Sequence, residues 1–205
     1  MKVLIDQIEL KVAHPTLAGA LDAARNASGS SGRVIIEALL DGQPLTDEQM
    51  LEPSDEPIDA KVLELTTTDP KALVRTTLLD VSDALAQTRD AQGLCASSLQ
   101  RGEMGPALAQ LREIVETWSH VRRVMAEGPA LLGLGLGELE AMRPEGTAPI
   151  TQRIHTLTHA LDELRTQVSA QDWSSLADLL EGELDQLAGE WEEVMRTLAQ
   201  RLVAP

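Results

Sequence analysis

His155 and His159 stand four apart in a stretch of helical periodicity, so one helix face carries two imidazoles that could clamp a metal ion. Asp162 and Glu163 follow one turn on. The segment His-Thr-Leu-Thr-His, however, lacks the glutamate that acts as base between zinc-binding histidines. Both histidines also fall off the apolar stripe Ile150, Ile154, Leu157, Leu161, Leu164 and Val168, which places them on the solvent side. A di-iron site needs Glu-x-x-His pairs on facing helices, and the chain has none; Glu116 and His120 are four apart. Cys95 lies on a core stripe with no histidine near it in sequence, the setting of an inert thiol rather than a nucleophile. Glu181 and Glu183 flank core positions as solvated acids. Gly133-x-Gly135-x-Gly137 imitates a phosphate loop, but it follows a helical run instead of a strand, and the next basic residue is Arg143. A flexible linker is the expected role of those glycines. No residue is assigned as catalytic, metal-binding or cofactor-binding, and no cofactor is expected.

What remains is a surface. Leu131, Leu132, Leu134 and Leu136 sit in the glycine-rich segment, where they either tuck onto neighbouring helices or form a docking patch. Trp173 and Trp191 either anchor the core or mark the ends of a groove. These six residues form the candidate interaction surface.

Charge narrows the partners. The chain has 205 residues and a formal net charge of −16. Residues 1–68 carry 5 basic and 12 acidic groups and residues 69–205 carry 12 and 21, so both parts are acidic. Phosphate binding lacks its driving force, and an anionic membrane surface is disfavoured for the same reason. Aromatic content is 1%, which removes stacking platforms for single strands and leaves a core of Leu, Val, Ile, Ala and Met. One cysteine forbids an internal disulfide and fits a reducing compartment. The opening MKVLIDQIELKV alternates with charges and lacks a signal-peptide core, and no run of 18 apolar residues occurs. The expectation is a cytoplasmic protein with a protein partner or self-association, and with neither nucleic acid nor membrane.

Two regions must position these residues. Residues 1–68 read as strands over Val3–Ile5 and Ile8–Val12 turning at Asp6–Gln7, then a short helix from Leu17 to Ala24. NASGSSG, residues 26–32, reads as a flexible stop. A strand over Arg33–Leu40, a turn at Asp41–Gly42, a return strand over Gln43–Thr46, an irregular acidic loop over Asp47–Pro57 and a strand over Ala60–Thr67 complete the region. The order strand, strand, helix, strand, strand resembles the β-grasp, or ubiquitin-like, fold. Members that activate a C-terminal carboxylate expose a Gly–Gly tail; here Thr66-Thr67-Thr68-Asp69-Pro70 runs on into a helix, so that chemistry is not implied.

Residues 69–205 are helical in period. Helices are expected over about 70–101, 104–127, 150–169 and 171–203, in hairpins 69–127 and 149–203 joined by a linker over 128–148. The first stripe holds Val74, Leu78, Val81, Leu85, Cys95 and Leu99, with Thr88 and Gln92 making either a wetter layer or a polar layer that sets register. The second holds Met104, Leu108, Leu111, Val115, Trp118 and Met125, widened by Ile114, Val121 and Val124. The last is one continuous run of about nine turns capped by Asp172. Leu108-Ala109-x-Leu111-x-Glu113 echoes Leu176-Ala177-x-Leu179-x-Glu181, and Trp118-x-x-Val121 echoes Trp191-x-x-Val194, consistent with a duplicated hairpin.

The run from Asp172 through Leu176-Ala177-Asp178-Leu179-Leu180-Glu181 to Leu184 resembles the C-terminal helix of uncharacterised bacterial proteins, some associated with flagellar genes; Gly182 departs from the bulky residue expected there. The resemblance implies a helical protein without assigned activity. The fold class expected is α+β, a small β-grasp-like N-terminal domain followed by an antiparallel four-helix bundle. The expected function is a non-enzymatic interaction or adaptor protein. A flagellar-type export chaperone cradling an amphipathic client helix and an enzyme with an unrecognised site are the alternatives.

Overall fold

The computed structural model describes residues 1–56 and 61–202 and has an α+β architecture. The chain divides into two compact units, Met1–Leu73 and Val74–Pro205.

In the first unit, β1 (Lys2–Ile5) and β2 (Ile8–Leu10) form a hairpin whose turn residues Asp6 and Gln7 both have positive φ, 47° and 69°. That conformation matches the right-handed twist of the flanking strands. Helix α1 (Leu17–Ser30) is capped by the Thr16 hydroxyl, which accepts from the Gly19 N–H. It continues through the expected stop at Asn26, because Ser28 extends the inward face of Leu17, Leu21 and Ala24 and packing outweighs weak local propensity. β3 (Val34–Leu40) turns at Asp41 and Gly42, φ 49° and 81°, into the short β4 (Gln43–Pro44). The expected irregular acidic loop instead begins with a helical turn, α2 (Asp47–Leu51), closed by a capping box between Thr46 and Gln49. β5 (Val62–Thr68) completes a five-stranded sheet of order β2-β1-β5-β3-β4, parallel between β1 and β5 and antiparallel elsewhere. The expected strand start at Ala60 and the loop end at Pro57 lie outside the described residues. Val3, Leu63 and Leu65 bury against Leu17 and Leu21 of α1. Thr67 is the polar tie at the core edge: its N–H and hydroxyl donate to the Asp6 carboxylate, while Arg33 donates to its hydroxyl and carbonyl.

At the end of the first unit, Asp69 accepts from the Lys71 N–H at the start of α3 (Pro70–Gln100), which continues into the second unit. Gly102, φ 74°, reverses the chain into α4 (Met104–Leu131). α5 (Leu136–Ala141), α6 (Ile150–Ala170), α7 (Trp173–Leu179), a π-helical turn (Leu180–Leu184) and α8 (Asp185–Arg201) follow. The last three form one continuous rod, interrupted in pitch where a single run was expected. The wider turn keeps Leu180 and Leu184 both fully buried around Gly182. The expected end at Val203 lies outside the described residues.

Cross-ties give the directions. The Cys95 thiol donates to the Ala107 carbonyl across the α3–α4 hairpin. Arg89 pairs with Asp185, and the Ser82 hydroxyl donates to the Glu192 carbonyl, so α3 and α8 run antiparallel. Arg153 pairs with Glu190 between α6 and α8.

Two helices are rotated from the expected faces. On α4 the buried positions are Ala107, Leu111, Ile114, Trp118, Val121, Val124, Met125 and Gly128, leaving Leu108 and Val115 exposed. On α6 they are Ile150, Arg153, Leu157, Ala160 and Leu164, leaving Ile154 exposed. Alanines take the inward positions because they let backbones approach. Thr88 and Gln92 are both buried, and the Gln92 amide has no hydrogen-bond partner on either atom.

Candidate interaction surface

The segment after α4 is not a loose linker. Its path follows from local chemistry. Gly133, φ 65°, ends α4, with the Gly133 N–H donating to the Ala130 carbonyl and the Leu134 N–H to that of Pro129. This is a left-handed C-terminal cap followed by an apolar residue, and it explains the first glycine without any phosphate loop. The Glu138 carboxylate accepts from the Gly135 N–H at 2.8 Å and starts α5. Pro149 occupies the N-cap position of α6 and has no side-chain acceptor to offer. Glu140 supplies one from a distance: its carboxylate oxygens accept from the Ile150 and Thr151 N–H groups, each at 3.1 Å. Burial opposes ionisation of Glu140, but those two N–H groups and the nearby Arg143 hold its carboxyl below the ordinary carboxylate value. From the far side, the Arg201 guanidinium donates to the Ala141 carbonyl at 2.8 Å.

These ties lay α5 over an apolar groove at one end of the helices. Val74 and Leu78 of α3, Val124 and Met125 of α4, and Leu198 of α8 line it. Leu139, 7% exposed, points in with Leu134 and Met142, leaving a cavity of about 20 Å³. Burying Leu139 stabilises the docked segment by about 2 kcal/mol on apolar area alone.

The predicted surface residues therefore separate. Leu131, the last residue of α4, and Leu136, the first of α5, are 43% and 56% exposed. Leu132 and Leu134 are partly buried, Leu132 against the helical core and Leu134 in the groove lining. Trp173 is partly buried against the core. Trp191 is fully buried and belongs to no surface; its indole fills the centre of α8's inward face. His155 and His159 are exposed on α6, and among the described residues no group of three or more His, Cys, Asp or Glu comes together as a metal site. Burial pushes the Cys95 thiol up to about 11.

A second opening of about 370 Å³ runs between α3 and α4, lined by Ala84, Thr88, Ala91, Glu113, Thr117 and His120. Sequence reasoning missed both this opening and the Glu140 cap. The available signal for Glu140 was Pro149 itself, which leaves a helix start without a side-chain acceptor. Arg153 was also missed; it interrupts the apolar pattern, yet it is buried and paired with Glu190 while donating to the Ala148 carbonyl. No described helix is long and apolar enough to cross a membrane. Compared with known proteins, the chain matches no family model, no curated protein and no solved structure.

Proposed function

We propose that this is a non-enzymatic cytoplasmic interaction protein, an adaptor that engages a protein partner or a second copy of itself through its helical unit. One observation carries the reading. Leu131, at the end of α4, and Leu136, at the start of the six-residue helix that covers an apolar groove, are both substantially exposed. Exposed leucines beside an apolar groove are what an interface core needs. A net charge of −16 disfavours nucleic acid and anionic membranes, which makes a protein the fitting partner.

The reading takes the first unit as β-grasp-like. Its strand order, its parallel β1–β5 pair and the packing of α1 against Val3, Leu63 and Leu65 support that. It takes α3, α4, α6 and the α7–α8 rod as an antiparallel four-helix bundle, supported by the Cys95, Arg89 and Arg153 ties. The similarity of the last helix to uncharacterised bacterial proteins fits a helical interaction module. A narrower form is an export chaperone of the flagellar kind. The opening between α3 and α4 favours it, since an amphipathic client helix could lie along that seam.

The test compares the tagged protein with a Leu131→Asp, Leu136→Asp double variant in pull-downs from the source cells, read beside solution mass. The expected result is one stoichiometric partner, or a dimer mass, that the wild type retains and the variant loses. Equal capture by both, or a monomer without partner in both, overturns the reading.

A further inference from the structure

We propose that the strap carrying α5 is a removable plug, and that the groove beneath it receives a short amphipathic helix from a protein partner, with a carboxylate next to its anchoring leucine. This rests on the interaction-protein reading and names the kind of partner. The occupant's chemistry is visible in α5, which presents Leu139 and, one turn later, Met142 to the groove. A groove floored by Val74, Leu78 and Met125 accepts that pair with almost no space left, and the methionine adapts its fit. A partner helix offering Leu-x-x-Met or Leu-x-x-Leu repeats it.

The strap is built to leave. Gly133 and Gly146, both at positive φ (65° and 73°), bracket it, so rotation there costs little strain. Its helix has six residues, too short to persist without the groove. The polar ties that cross from it are Glu140 to the Ile150 and Thr151 N–H groups and the Ala141 carbonyl to Arg201. Departure of the strap uncovers the Arg201 guanidinium and those two N–H groups together. They then favour a carboxylate in the position Glu140 held, so the partner helix carries one there. The rim gives the partner its advantage. Leu131, which ends α4 outside the strap and beside the groove-lining Leu132, is 43% exposed, whereas a longer helix covers it.

The probe is a labelled peptide with the sequence of residues 134–143, titrated into the full chain and into a Glu140→Ala variant. Hydrogen exchange is followed in the strap and in α3 and α4. The wild-type strap is expected to exchange faster than α3 and α4. In the variant, strap exchange quickens and the peptide binds about tenfold tighter, because a larger fraction of the chain has an open groove. A peptide with serine in place of the Leu139 side chain should not bind. If Glu140→Ala disturbs α6, seen as a change in emission from the buried tryptophans, Leu139→Ser replaces it with the same expectation. A strap that exchanges as slowly as α3 in both proteins, or a peptide that binds neither, overturns the plug. Partner capture that depends on Leu131 and Leu136, without peptide binding, removes the plug and leaves the interaction reading standing.

Discussion

Gln92 and Cys95 face the same core one turn apart on α3, and they show how differently a buried side chain can bear on stability. Cys95 donates to the Ala107 carbonyl and is a small apolar filler, its thiol raised to about 11 by burial. At pH 8 it should react with a thiol reagent only on unfolding; a burst of labelling in the native protein would show the site to be open. Gln92 has a fully buried amide whose oxygen and nitrogen both lack partners. An unsatisfied buried amide costs about 1–3 kcal/mol, so Gln92→Met, near in volume and without that demand, should raise Tm. An unchanged or lower Tm would mean that the amide is satisfied in solution, for example by an enclosed water.

At the scale of elements, the helix ends decide the paths. Gln171 closes α6 in the left-handed region, φ 56°, and Asp172 at once caps α7 by accepting from the Ser175 N–H. Gly fits the left-handed position without a Cβ penalty. Gln171→Gly should therefore stabilise the second unit by roughly 0.5–1 kcal/mol, read as a rise in the urea midpoint at constant m. A fall in the midpoint would show that the Gln171 side chain contributes contacts worth more than the relief of backbone strain. The α5 strap is the opposite kind of element, short and held by what it covers, and it is where local opening is expected first.

Over the whole molecule, acidification acts in two ways. Between pH 7 and about 5 the loss of negative charge relieves self-repulsion in a chain of net charge −16, and stability should rise. Below that, specific carboxylates take over. Thr67 donors lower Asp6; for Glu140, burial opposes the lowering but the α6 N–H groups prevail; Ser175 lowers Asp172. A depressed folded-state pKa gives stability that is present above the unfolded value. It is lost as pH falls from that value, 3.8 for Asp and 4.5 for Glu, through the lower folded one. Thermal melts across pH should show a maximum near pH 5 and a decline below about pH 4.5, blunted in Asp6→Asn and Glu140→Gln variants. A monotonic curve with no such blunting would remove these carboxylates as acid-sensitive ties.

Local pattern was enough to read the α+β class, the two hairpin turns at Asp6–Gln7 and Asp41–Gly42, the helix starts at Asp69 and Asp172, and the burial of Cys95. Each depends on neighbours within a few positions: turn dipeptides, capping carboxylates, and the 2.0 and 3.6 residue periods. Which side of an ambiguous stripe faces inward is settled by packing between helices distant in the chain. Leu108, Val115 and Ile154 lost that place to Ala107, Ala160 and Arg153, because close approach of backbones and a paired arginine outweighed apolar area. The same holds for the Gly-rich segment. Its leucines are equivalent in composition, yet Glu140 reaches the N-terminus of α6, and Leu134 and Leu139 line the groove while Leu136 stays exposed. A bond across ten positions of chain, made by one carboxylate to a helix end that Pro149 leaves uncapped, depends on geometry that spacing does not encode.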